Sequence, residues 1–238
     1  AGFAVILKKK NYLFVDGRYT IQAQKESGKN FIIVEIHKKL PKKIIQKLDL
    51  GYDPKLFTTK FLKNYFSGNN LVAINDNLID QIFKFKNTKT KPFYSLNKTV
   101  VGETHVSKIS KIVNFLNIHN ADYLFISAPE NVAWLLNIRG FDNPNSPIPN
   151  AKLIINKNKK LFIIAEKNST QRIINENKIN KKDTIENKYF SELIIGLNGK
   201  NFIIDEQTCS IFNEKLIKSK FNIINIKDPV YKLKSIKN

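Results

Sequence analysis

Methionine is absent from the 238 residues, even at the first position, and cysteine occurs once, as Cys209. Without an initiator residue, the chain is expected to begin downstream of the start of its gene. A single thiol excludes an internal disulfide framework and a cysteine metal cluster, and it fits a reducing compartment. The nine glycines form no GxGxxG or GxxxxGK run, so no phosphate-cradling loop is expected. GxSxG and HExxH are also missing, and His37, His105 and His119 stand apart from one another. No apolar run approaches the ~18 residues of a membrane helix, and no leader-like segment opens the chain. A cytoplasmic protein with no membrane partner is expected.

Arginine is the other scarce residue. Arg18, Arg139 and Arg172 are the only three among 40 basic side chains, set against 20 acidic ones. The net charge of +20 would ordinarily suggest a nucleic-acid or anionic partner. The remaining 37 basic residues are lysines, beside 34 isoleucines and 30 asparagines. All three residue types are written with A/T-rich codons, so base composition explains much of the charge. The lysines are spread along the chain, and the better base reader is nearly missing. A solvated lysine surface is expected, with no specific nucleic-acid face.

What is present is apolar material arranged in short alternating blocks. Residues 4–7 and 12–15 read as a hairpin over Lys8-Lys9-Lys10-Asn11. A short helix near 18–25, a strand at 30–36, a helix begun by Pro54, a strand at 71–74 and a helix at 78–83 capped by Asp76 follow. The basic, aperiodic stretch 84–97 (KFKNTKTKPFYSLN) reads as the linker. Beyond it come a helix at 106–118 with Val106, Ile109, Val113 and Leu116 on one face, and a strand at 122–127. Pro129 starts a helix to about 136, and a loop with Pro144, Pro147 and Pro149 follows. A second hairpin (152–155, 161–165), helices near 169–175, 188–197 and 208–218, and strands at 201–205 and 222–226 complete the pattern.

Two stretches repeat one plan of hairpin, helix, strand, helix, strand. The second copy is preceded by about fifty residues of helix, strand, helix and Pro loop that the first lacks. The first domain is therefore expected to be truncated at its N-terminus, missing a strand and a helix. The pattern implies α/β architecture: two tandem domains, each a mixed sheet flanked by helices. The expected boundaries are 1–86 for the first, 87–97 for the linker and 98–238 for the second.

Catalytic constellations are not evident. His119 follows an amphipathic helix as a surface residue, and Cys209 reads as a small buried hydrophobe on a helix with Phe212 and Leu216. Two segments stand out. Asp16-Gly17-Arg18-Tyr19 follows a strand, where Asp16 can cap a tight turn and Arg18 reads as a structural partner. Residues 133–142 (AWLLNIRGFD) hold the only Trp, Trp134, and lead into the Pro loop. A guanidinium is hard to replace where a planar bidentate contact is needed, so Arg139 reads equally as a structural or a functional residue.

At these residues the chain resembles the three-domain Xaa-Pro aminopeptidases of the creatinase/prolidase superfamily. Ala1, Gly2, Asp16, Gly17, Arg18, Tyr19, Gln22 and Ala23 match the opening of their first domain. NLIDQIF at 77–83 is similar to the segment closing that domain. ENVAWLLNIRGFDNPNSP at 130–147 is similar to the second domain's Ala-Trp-Leu-x-Asn-x-Arg-Gly-x-Asp stretch. DPVYKLKSIKN at 228–238 resembles the link into the catalytic domain.

The resemblance implies two creatinase N-terminal-like domains of an enzyme that releases the first residue from peptides with proline second. It implies a C-terminal pita-bread catalytic domain in which two Asp, one His and two Glu hold two divalent metals, often manganese. No such ligand and no metal or other cofactor is assigned to this chain. The N-terminal domains are implied to shield the cleft, restrict entry and build a homodimer. Trp134, Asn137, Arg139 and Asp142 are the candidate substrate-cleft residues. The same four also read as a core aromatic and a structural corner. The alternative function is a metal-free interaction module on the same fold.

Overall fold

The computed structural model describes residues 2–83, 91–97, 99–143 and 145–236. Several sequence expectations lie outside the described residues. They are the match at Ala1, the linker over 84–90, the start of the second domain at Lys98, Pro144, and the closing Lys237-Asn238. Chain contacts divide the molecule into two units, 1–53 with 60–75, and 54–59 with 76–238. Among the described residues, no helix is long and apolar enough to cross a membrane.

In the first unit, β1 (Gly2–Ile6) and β2 (Asn11–Val15) pair antiparallel, Gly2 opposite Val15 and Ile6 opposite Asn11. The lysine turn between them closes through Leu7 N–H to Lys10 O at 3.2 Å. After α1 (Thr20–Glu26), β3 (Ile32–Glu35) returns parallel to β2. A second ladder pairs β4 (Asp49–Tyr52), a strand the sequence pattern did not isolate, with β5 (Asn70–Ala73). Between those strands runs α2 (Thr59–Phe66). Its aromatic face closes on the hairpin: the Phe3 ring lies 5.2 Å from Phe14 and Phe61 and 5.8 Å from Phe66, in stacked and edge-on arrangements.

The helix expected from Pro54 begins five residues later. The carbonyls of Pro54 and Phe57 do not wait for donors four residues on. They accept the N–H groups of Phe212 and Ile211 at 2.9 Å each, within the second unit. Those donors open another helix and would otherwise lack partners. The short α3 (Leu78–Ile82) is capped by Asn77, whose side-chain oxygen accepts from Ile79 N–H at 2.9 Å, and not by Asp76. Asn77 is the residue immediately before the first turn, which is where a capping oxygen reaches.

In the second unit, residues read as the end of the linker are structured. Phe93 is fully buried, and β6 (Tyr94–Ser95) lies ahead of α4 (His105–Ile118), β7 (Tyr123–Ile126), α5 (Pro129–Leu136) and β8 (Ile138–Arg139). Then come β9 (Lys152–Asn156), β10 (Leu161–Ile164), α6 (Lys167–Asn175), β11 (Thr184–Ile185) and α7 (Phe190–Gly196). The unit ends with β12 (Asn201–Ile204), α8 (Ile211–Lys218), β13 (Asn222–Asn225) and α9 (Pro229–Ser235).

Six strands form a mixed sheet in the order β11-β10-β9-β7-β12-β13. Successive residues of a strand face opposite sides, and here both sides are apolar. Leu124, Ile126, Leu153, Ile155, Ile163 and Ile203 pack with α4, α5 and α9. Tyr123, Phe125, Ile154, Phe202 and Ile204 pack on the other side with Phe190, Ile194 and Ile217 of α7 and α8. This is a mixed α/β fold with helices on both faces.

The two units share a plan. β1-β2-β3 corresponds to β9-β10-β11, an antiparallel hairpin with a parallel third strand, and β4-β5 corresponds to the parallel pair β12-β13. In the second unit β7 pairs with both β9 and β12 and unites the halves. In the first unit no described strand joins the two ladders.

Candidate functional site

Residues 130–142 form a corner that is built from the chain's own backbone demands. α5 starts at Pro129, whose fixed φ suits the first helical position, with Glu130 favourable in the first turn. It ends at Asn137, which takes the left-handed conformation at φ 52°. Asn tolerates that region because its short amide can bond locally. The Asn137 Nδ2 donates to Glu103 O at 2.9 Å, and its Oδ1 accepts from Lys108 Nζ at 2.6 Å.

Lys108 is the group the sequence reading missed. It is 4% exposed, its ammonium lies 3.9 Å from the Trp134 ring centroid, and it donates to Trp134 O at 2.9 Å. Burial pulls its pKa down to about 8, with Glu103 partly opposing this. Lys178 donates to Leu136 O at 3.0 Å. Two ammonium groups thus satisfy carbonyls at the negative end of α5. Burial lowers the pKa of Lys178 and of His105 as well, the two neighbouring lysines adding to the effect at His105.

The signal for Lys108 was present in the spacing. It lies four and eight residues before Ile112 and Leu116, on the buried stripe of α4. Val106, which the pattern placed on that stripe, is 59% exposed.

Past Asn137 the chain becomes β8, with Arg139 opposite Tyr94. The half-buried guanidinium of Arg139 turns back, donating to Ile138 O at 2.8 Å and reaching Ala133 O at 3.5 Å. It has no carboxylate partner among the described residues. Gly140 follows because nothing larger fits: a Cβ there would stand 2.6 Å from Pro149 Cα. Asp142 accepts the Asn150 N–H at 2.7 Å and ties the Pro loop back onto the corner. Trp134, Asn137, Arg139 and Asp142 therefore belong to one corner.

The other end of α5 is tied to α9. Asn131 Nδ2 donates to Asp228 Oδ2 at 2.7 Å, and Lys234 Nζ donates to Asn131 Oδ1 at 2.6 Å. Tyr231 OH donates to Glu130 Oε1 at 2.8 Å. Asp228 caps α9 by accepting from Val230 N–H at 2.9 Å, and its own N–H donates to Asp205 Oδ2. Burial raises the Asp228 carboxyl to about 6 against these stabilising donors. Burial also raises the Tyr231 hydroxyl, reinforced by Glu130.

In the first unit, Asp16, Gly17, Arg18 and Tyr19 make a local turn. Asp16 Oδ1 accepts from Arg18 N–H at 3.0 Å and Nε at 2.9 Å, and Oδ2 accepts from Nη2 at 3.3 Å. The side-chain bonds from Arg18 hold the Asp16 carboxyl down at about 2. The Arg18 guanidinium lies 5.8 Å from the Tyr19 ring centroid, and both side chains are exposed.

Cys209 sits one residue before the Ser210 cap of α8, not within the helix, and is fully buried. Burial pushes its thiol up to about 12, so no thiolate nucleophile exists at neutral pH. Among the described residues no three His, Cys, Asp or Glu side chains are grouped to hold a metal ion. The described residues do not fit a two-metal centre. What the corner does chemically is hold backbone and orient α5, with no nucleophile paired to a base.

Residues 84–238 match the profile of the Creatinase/Prolidase N-terminal domain. Xaa-Pro aminopeptidase 2 of Rattus norvegicus is 30% identical over 165 residues, 62% of this chain and 24% of that protein. Xaa-Pro aminopeptidase ApepP of Drosophila melanogaster is 29% identical over 187 residues, 69% of this chain and 29% of that protein. The chain thus covers about a quarter of the length of the curated relatives it matches. The crystal structure of X-prolyl aminopeptidase from Caenorhabditis elegans, described as a cytosolic enzyme with a di-nuclear active site, superposes with a TM-score of 0.79. It covers 100% of this chain and 42% of that one at 18% identity.

Proposed function

The chain belongs to the Creatinase/Prolidase N-terminal domain family, and on that premise we propose that it is the non-catalytic N-terminal region of an Xaa-Pro aminopeptidase. In this reading residues 1–86 belong to the first domain and 98–238 form the second, which would be followed by a metal-holding catalytic domain. The region shields the cleft, restricts substrate entry to unfolded peptides, and supports a homodimer in the cytoplasm. The divalent metals, manganese among them, belong to the catalytic domain.

One observation supports this reading above others. The family-like segment 130–142 and the family-like closing segment are joined through Asn131 and Asp228 at 2.7 Å. α5 and its corner are therefore fixed relative to the helix that would lead into a catalytic domain. In this reading the corner residues Trp134, Asn137, Arg139 and Asp142 face the substrate side, and Arg139 is the one tested first because its guanidinium is held only by backbone carbonyls among the described residues, with no carboxylate competing for it.

The test joins this region to the coding sequence that follows it and replaces Arg139 with Lys. A fall in kcat/KM of about tenfold or more on an X-Pro peptide, with an unchanged unfolding midpoint, supports the role. Unchanged kcat/KM removes Arg139 from the substrate side. A following sequence without the two Asp, one His and two Glu overturns the peptidase reading in favour of an interaction module.

A further inference from the structure

A cavity of about 550 Å³ opens in the second unit among the start of β9, the N-terminal ends of α7 and α8, and the turn before α7. That volume is in the range of small-molecule sites. Among its lining residues there is no Asp or Glu.

Asn213 lines it and is 5% exposed, yet its side-chain amide bonds to no described residue, while its backbone N–H donates to Ser210 Oγ at 3.4 Å. No fully enclosed side-chain nitrogen or oxygen lacks a partner among the described residues, so the Asn213 amide keeps its access through this cavity. A buried amide left without a partner is costly, and such groups are normally satisfied.

Lys152 lines the same cavity. Burial lowers its pKa, and the only nearby titratable group that acts on it is the Cys209 thiol, which is neutral at physiological pH. Lys108 and Lys178, whose pKa values burial also lowers, donate to carbonyls, whereas the Lys152 ammonium has no hydrogen-bond or carboxylate partner among the described residues. Lys188 lines the cavity too but is neutralised by Glu186 at 3.4 Å. Phe190 and Phe212 supply apolar wall.

We propose that this cavity binds a small oxyanion, carboxylate or phosphate, carried on an apolar body. The Lys152 ammonium supplies the charge, the Asn213 NH2 donates a directional hydrogen bond, and the aromatic side chains cover the body. The site stands independently of the peptidase reading.

The test titrates the full chain with benzoate, phenyl phosphate, inorganic phosphate and the neutral benzyl alcohol, following heat of binding and the Asn213 side-chain amide signal by NMR. Saturable one-site binding of benzoate or phenyl phosphate, with a dissociation constant below about 5 mM, is expected. The tighter of the two identifies the carboxylate or the phosphate as the natural head group. Lys152→Gln weakens binding at least about tenfold, while Lys152→Arg stays within about threefold. Asn213 is buried, so Lys152 carries the mutational test and Asn213 only the spectroscopic one. The proposal is overturned if no probe saturates, if benzyl alcohol binds as well as benzoate, or if Lys152→Gln binds like the parent chain.

Discussion

Asn131 on α5 and Asp228 at the head of α9 share a 2.7 Å hydrogen bond inside the core, 97 residues apart in sequence. Asn131 also accepts from Lys234, and Asp228 also caps Val230. One amide and one carboxyl thereby fix the last helix to the helix that carries Trp134.

Asp228 sets a pH dependence with a definite sign. Its folded pKa, about 6, lies above the ordinary value of 3.8 because of burial. The folded state therefore holds the proton more firmly, and the stability this contributes is full below pH 3.8 and lost as pH rises through about 6. Asp228→Asn removes that slope. Relative to the parent, its stability improves by up to about 3 kcal/mol between pH 4 and 7, offset by about 1–2 kcal/mol of lost hydrogen bonding at all pH values. Urea unfolding followed by Trp134 fluorescence at several pH values measures this. A difference that is flat with pH, or that slopes the other way, contradicts it.

Lys108 and Trp134 provide a spectroscopic test. The ammonium lies 3.9 Å from the centroid of the only indole and has its pKa drawn down to about 8. Trp134 emission is expected to change with a midpoint near pH 8. Lys108→Met abolishes the transition and costs about 1–3 kcal/mol, because Trp134 O and Asn137 Oδ1 lose a donor. A pH-independent emission in the parent chain would contradict the placement.

The corner after α5 depends on two backbone positions. Asn137→Ala combines a left-handed alanine with two lost side-chain bonds and is expected to cost about 2–4 kcal/mol. Asn137→Gly recovers about 1–2 kcal/mol of that, since only the bonds are lost. Gly140→Ala pushes a Cβ into Pro149 and costs about 1–3 kcal/mol. Thermal unfolding of the three variants ranks them. Equal midpoints for Asn137→Ala and Asn137→Gly would remove the backbone argument.

Where each element's own pattern decides its form, the sequence was readable. The apolar blocks of β7, β9, β10 and β12 and the stripe of α4 are visible one segment at a time, and so is the hairpin read at 4–15, which the structure starts at Gly2. Failures occur where a distant partner decides. The helix after Pro54 starts late because its carbonyls serve the first turn of α8. β4 does not stand out in the sequence, and its Gly51 makes sense only in the fold, where a Cβ would stand 3.1 Å from the Ile74 side chain. α9 is too polar to declare itself, and its Val230 and Leu233 become core only against α4 and α5.

The candidate corner was legible as a motif but not as a mechanism. Trp134, Asn137, Arg139 and Asp142 were picked out together, and the structure places them together. Which atoms they engage could not be read, because Lys108 and Asn150 lie on other segments and the fold-back of Arg139 onto the neighbouring Ile138 O leaves no mark in the sequence. A lysine inside a helix stripe reads as a solvated charge unless the stripe is followed through it.

That no described strand joins the two ladders of the first unit has a practical consequence. β1 lies at one margin of its sheet and carries Ile6, 65% exposed, while the β4-β5 ribbon has no third member among the described residues. The β1 margin presents a row of amide donors and acceptors onto which a strand from a second molecule can zip. At high concentration the isolated polypeptide should self-associate through its first seventy-odd residues, the more so once salt screens the lysines that keep neighbours apart.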